Sequence, residues 1–94
     1  MTRIALLVAV VACATPPPQV TVLDAERANV ALGDLQEGRT LLLAKCGGCH
    51  TVPVPQEQTA ASWPKKLDDM SSRAGLTPVQ HDLIQLYLVV KARP

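Results

Sequence analysis

Cys46-Gly47-Gly48-Cys49-His50 is the stretch on which the reading of this chain turns. Two thiols three positions apart stand beside an imidazole, and three chemistries use such a set. The first is covalent haem attachment: Cys-x-x-Cys-His is its signature, two thioethers forming on one porphyrin while the next histidine faces the iron. The second is half of a structural zinc site, which needs four ligands, usually from two such pairs. The only other cysteine is Cys13, near the start of the chain, and the only other histidine is His81, so no second pair exists. The third is a redox dithiol, which opens a helix after a strand in an α/β unit. No convincing strand pattern appears. The reading adopted is therefore one covalent c-type haem, with Cys46 and Cys49 as thioether residues and His50 as proximal iron ligand. Gly47 and Gly48 keep the loop slim where backbone must approach a haem edge.

Ninety-four residues allow one small domain. Hydrophobic residues make up 48%, but the unbroken apolar run 4–14 accounts for part of that, and the chain has one Trp, one Tyr and no Phe. About eighty residues with so few large side chains commonly need a staple. A covalent haem would be one, so the haem-free chain is expected to fold poorly. The charges nearly balance, at nine basic and eight acidic residues, and no basic run of nucleic-acid-binding type is present. Lys65-Lys66 reads as a solvated helix face.

Residues 1–14 read as an export signal. Arg3 gives a weakly positive start, and Ile4 to Val11 is an apolar core too short to span a bilayer as a mature helix. Val10-Val11-Ala12-Cys13 resembles a bacterial lipobox, which would put a lipid on Cys13. Simple cleavage after Ala14 is the alternative. Location outside the cytoplasm is expected either way. With Cys13 lipidated, Pro16-Pro17-Pro18 is expected to act as a stiff spacer from the membrane.

Four helices are expected. Thr21-x-x-Asp24 would cap a short one running through Ala31 and ending near Gly33, although Val20 to Leu23 equally suits an extended arm. Residues 15–33 thus form a linker or short N-terminal helix, and 34–94 the haem domain. Asp34-x-x-Glu37 marks the next helix, to about Lys45, with Leu35, Gly38, Leu42 and Cys46 on one face. Gly38 inside a helix costs about 1 kcal/mol against Ala, and close approach of another helix would explain it. Pro53 and Pro55 force an extended loop after His50, and a loop carbonyl is expected to accept from the outer nitrogen of His50.

The third helix is expected from Thr59 or Ser62 to about Arg73, with Gly75 as its C-terminal cap. It places Trp63, Leu67, Met70 and Ala74 on one face. Thr77-Pro78-Val79-Gln80 is a capping box with proline first. Val79, Leu83, Leu86, Tyr87 and Val90 form the expected buried face of the fourth helix, and Lys91 and Arg93 suit its C-terminal dipole.

A second axial ligand is needed, or an open iron. Met70 is the only methionine besides Met1. Its soft thioether suits haem iron and raises the potential relative to two histidines. The bland alternative is that Met70 fills core space. His81 competes less well, because it falls off the apolar face.

The succession of a helix, Cys46-Gly-Gly-Cys-His50, a loop, the Trp63 to Met70 helix and then Leu76-Thr-Pro with Ile84 and Tyr87-Leu88 resembles the class I cytochrome c family, in its short monohaem form. The resemblance covers about residues 34–90. It implies an all-α, small cytochrome c-like helical fold around one covalently bound haem c. Cys46 and Cys49 match the thioether cysteines, His50 the proximal ligand and Met70 the distal one. Gly38 and Leu42 match the positions where the N-terminal helix crosses the C-terminal one, with Ile84 and Tyr87 opposite. Met70 departs from the family: it lies on a helix, only twenty residues past His50, where the family places it in a loop.

The expected function is electron transfer between redox partner proteins, with no enzyme activity of its own and as a monomer or a subunit of a redox complex. A haem sensor with an open distal side, or a haem subunit of a larger oxidoreductase, are the alternatives.

Overall fold

The computed structural model describes residues 16–47 and 52–94. The described chain is all-α. It runs α1 (Val22–Ala28), α2 (Leu32–Cys46), a single 3-10 turn (Pro55–Glu57), α3 (Trp63–Ala74) and α4 (Pro78–Val90). One isolated parallel bridge joins Thr59 to Arg93, with Arg93 donating its N–H to the Gln58 carbonyl at 3.1 Å.

Helix starts follow side-chain chemistry at two positions. Thr21 and Asp24 form a capping box on α1, and Thr77 and Gln80 form one on α4. Each satisfies two backbone donors that helix geometry leaves unpaired. At α3 the two candidate starters are bonded to each other, Thr59 Oγ1 to Ser62 Oγ at 2.9 Å, and the helix begins at Trp63 with Pro64 in its first turn. Gly75 ends α3 at φ +64°, as its lack of a Cβ permits.

Two boundaries differ from expectation. α1 stops at Ala28, not near Gly33, because Asn29 turns left-handed at φ 53° and returns its N–H to Ala25 and Glu26. Asn tolerates that conformation better than most residues. α2 begins at Leu32, with Ala31 before it and no side-chain cap. Asp34 is therefore inside the first turn, where its charge meets the positive end of the helix dipole.

The core forms where α2 crosses α4. Leu35, Gly38, Leu42 and Cys46 are the buried residues of α2, the expected face. On α4 the buried residues are Ile84, Tyr87 and Leu88, with Leu83, Leu86 and Val90 half-buried. Val79, expected inside, is 68% exposed. The face is rotated because Gly38 draws the helices together at Leu83 and Tyr87. A Cβ built on Gly38 would collide with the Leu83 carbonyl oxygen and lie 2.9 Å from Tyr87 Cβ. From α3, Trp63 and Leu67 complete the cluster.

The segment before α1 is docked, not a free spacer. Pro17 is buried. Its carbonyl accepts two bonds from the Arg39 guanidinium, at 3.2 and 3.1 Å. The Pro18 carbonyl accepts from the Tyr87 hydroxyl at 2.6 Å. Lys91, at the C-terminal cap of α4, pairs with Asp24 of α1 at 2.9 Å, with both side chains under a fifth exposed. A polyproline tract has no internal hydrogen bonds, so its carbonyls remain available to such donors.

Gly38→Ala should lower stability by about 1–2 kcal/mol, the overpacking cost exceeding the helix-propensity gain. Gly33→Ala is the control: its Cβ meets nothing within 4 Å, and it should be neutral or stabilising by up to about 1 kcal/mol. Thermal denaturation of the two variants decides, and a Gly38→Ala protein as stable as the parent would contradict the crossing.

Candidate functional site

Cys46 is the last residue of α2 and is 5% exposed. Three helical spacings, from Leu35 through Gly38 and Leu42, bring it to the inner face. It belongs to the cluster of Leu42, Trp63, Leu67, Ile84, Tyr87 and Leu88. The chain leaves the helix at Gly47, whose N–H still reaches the Leu43 carbonyl at 3.2 Å. Cys49 and His50 lie outside the described residues, as do residues 1–14 with Cys13. The expected carbonyl bond to the His50 ring falls there too.

The loop resumes at Val52 and is fixed at Pro55. The indole Nε1 of Trp63 donates to the Pro55 carbonyl at 2.8 Å in a buried bond. Pro55 is itself buried. A desolvated indole N–H left unpaired would cost about 1–3 kcal/mol, so this bond ties the segment after the motif to the first turn of α3.

Met70 is half-buried on α3 and packs against the cluster that contains Cys46. Val52, Leu76 and Leu41 are partly buried against the same cluster. The sequence thus placed Met70 on the correct face with Trp63 and Leu67, and the fold brings that face to the end of α2. Lys65, Asp68, Asp69 and Ser72 are exposed on the other side, as expected.

His81 is not a bare solvent-side residue. Its Nε2 lies 2.8 Å from Asp68 on α3 and its Nδ1 3.1 Å from Asp82, and its side chain is 21% exposed. Hydrogen bonding to Asp82, with that to Asp68, outweighs burial and raises its pKa above the ordinary 6.5. With both ring nitrogens engaged, it serves as a clamp between α3 and α4. Asp24 is shifted the other way, below 3.8, chiefly by the hydrogen bond from Lys91. Burial pushes Tyr87 up to about 12, so it remains a neutral donor toward Pro18.

These polar ties were missed by sequence reasoning. Helical periodicity reports which face is apolar, and none of Arg39, Asp24 or His81 lies on such a face. The one available signal was an acid, Asp68, in the middle of α3 and an imidazole, His81, in the first turn of the next helix.

Of the side chains expected to hold a haem, Cys46 and Met70 are among the described residues. Cys46 is a buried member of the apolar cluster, and Met70, Val52 and Leu76 are partly buried side chains packed against it. Among the described residues no three His, Cys, Asp or Glu side chains converge as a metal-binding group. Comparison with protein-family models, curated proteins and solved structures returns no match.

The raised pKa of His81 predicts a stability that depends on pH. A raised folded pKa means its contribution is complete below 6.5 and disappears as pH rises through the raised value. Asp68 and Asp82 are largely exposed, so the solvent-screened effect should be no more than about 1 kcal/mol. Denaturant titrations of parent and His81→Gln at pH 5.5 and 8.5 test this. The parent should lose stability between the two, and the variant should lose less. Parallel changes would show that the clamp contributes nothing.

Proposed function

We propose that this chain is a small exported c-type cytochrome that carries electrons on one covalent haem. The observation that carries the reading is the Cys46-Gly47-Gly48-Cys49-His50 motif, whose first cysteine is buried at the end of α2 in the cluster that Met70 packs against.

In this reading Cys46 and Cys49 would hold the haem through thioethers, and His50 and Met70 would bind its iron. The bound haem supplies a one-electron couple between ferrous and ferric iron, with a potential that a thioether ligand raises. The protein's own residues provide the rest. Trp63, bonded to Pro55, holds the loop that follows the motif. Leu42, Leu67 and Ile84 exclude water from the apolar interior, which lowers the local dielectric and favours the less charged state of a redox centre. The His81 clamp to Asp68 holds α3, and hence Met70, against α4. With Met70 as a second protein ligand the iron would exchange electrons without binding substrate, and the protein would serve redox partner proteins as a carrier. Export is required for this chemistry and is supplied by residues 1–14, with lipidation at Cys13 holding the protein to the membrane. No described helix is long and apolar enough to cross a bilayer.

The test is Met70→Ala in protein matured with a working haem-ligation system. The parent should show a low-spin spectrum when reduced, with little reaction toward carbon monoxide. The variant should turn high-spin, bind carbon monoxide rapidly and have a lower reduction potential. An unchanged spectrum and potential would remove Met70 from the iron. Rapid carbon monoxide binding by the parent would favour a sensing protein with an open distal side.

A further inference from the structure

We propose that the start of α1, at Val22 and Leu23, rests on the lipid bilayer, so that the domain is held against the membrane in one orientation instead of swinging on a tether. The inference rests on membrane attachment through the N-terminal segment and adds to it which face of the domain meets the lipid.

Little free chain separates Cys13 from the domain. Arg39 and Tyr87 hold the Pro17 and Pro18 carbonyls, and Pro17 is buried. The tether therefore ends at Pro17. From Cys13 to Pro17 is four residues, which at full extension reach about 14 Å. A lipid on Cys13 thus keeps the docked strap within that distance of the headgroups. This is too short for the domain to turn freely.

The strap leads directly into α1. Val22 and Leu23, its first two residues, are 59% and 50% exposed. Exposed apolar side chains scattered singly are ordinary. Here two are consecutive, and they follow a strap that has to lie near lipid. The nearest acid, Asp24, is already neutralised by Lys91, which removes the charge that would most oppose approach to anionic headgroups. Ala25 is buried and Asp24 is tied to Lys91, so α1 is fixed to the domain and cannot reorient by itself. Apolar side chains at such a position enter the boundary between headgroups and acyl chains.

Tryptophan quenching tests this with the full chain. The parent, Leu23→Trp and Val79→Trp would be expressed with export, recovered from membranes and reconstituted into vesicles of phosphatidylethanolamine and phosphatidylglycerol. Emission is compared between vesicles with plain and with brominated acyl chains, and the ratio cancels any constant quenching by haem. Native Trp63 is buried and gives a common background. Val79 is exposed on α4 and serves as the control for general proximity. Leu23→Trp should be quenched about twofold, as insertion to the acyl boundary requires, while the parent and Val79→Trp stay near unity. Membrane-bound protein with Leu23→Trp unquenched overturns the docked face and leaves attachment standing. Protein recovered only in the soluble fraction overturns both. Quenching in colourless protein would uphold the face while the haem reading fails.

Discussion

The contact between the Gly38 backbone and the Leu83 carbonyl sets the distance between α2 and α4, and the remaining core follows from that distance. With a side chain at 38 the helices would separate, and Leu42, Ile84 and Leu88 would lose the dispersion contacts that close packing provides. The same approach rotates α4 so that Val79 faces solvent and Tyr87 turns inward. Tyr87 then has a hydroxyl needing a partner, and the Pro18 carbonyl supplies it. One glycine thus connects helix packing, the docking of the N-terminal strap and the direction in which α2 delivers Cys46.

Much of this was legible in sequence because it is carried by periodicity and capping. The α2 face from Leu35 to Cys46 was readable at 3.6-residue spacing, as were the Thr21 and Thr77 capping boxes, Gly75 and the Trp63-Leu67-Met70 face. What escaped involves partners far apart in the chain. Arg39 with Pro17, Tyr87 with Pro18 and Asp24 with Lys91 are separated by 22, 69 and 67 positions, and nothing local marks them. Pro16 to Pro18 read as a spacer because proline stiffens a chain; stiffness does not prevent docking when Arg39 and Tyr87 donate to the Pro17 and Pro18 carbonyls. Val79 read as buried because apolar residues near a helix start usually continue its inner stripe, whereas the crossing at Gly38 places that stripe closer to Ile84 and Leu88.

The candidate site divides in the same way. Its proposed covalent part rests on a local motif, of which the described residues include Cys46 and Gly47. Met70 was readable as an inner-face residue of α3, and its packing against the cluster of Cys46 is a property of the fold. The polar clamp from His81 to Asp68 connects α3, which carries Met70, to α4, and the neighbouring carboxylates raise the pKa of His81.

Covalent haem is the claim on which the functional reading stands, and intact mass spectrometry under denaturing conditions addresses it most directly. The exported chain, matured with a working haem-ligation system and extracted with acidified organic solvent, should retain a mass increase of one haem. Cys46→Ser combined with Cys49→Ser should lose that increase. A parent chain with the mass of its polypeptide alone, with or without lipid, would contradict the account and leave a bundle of four helices whose cysteines serve another purpose.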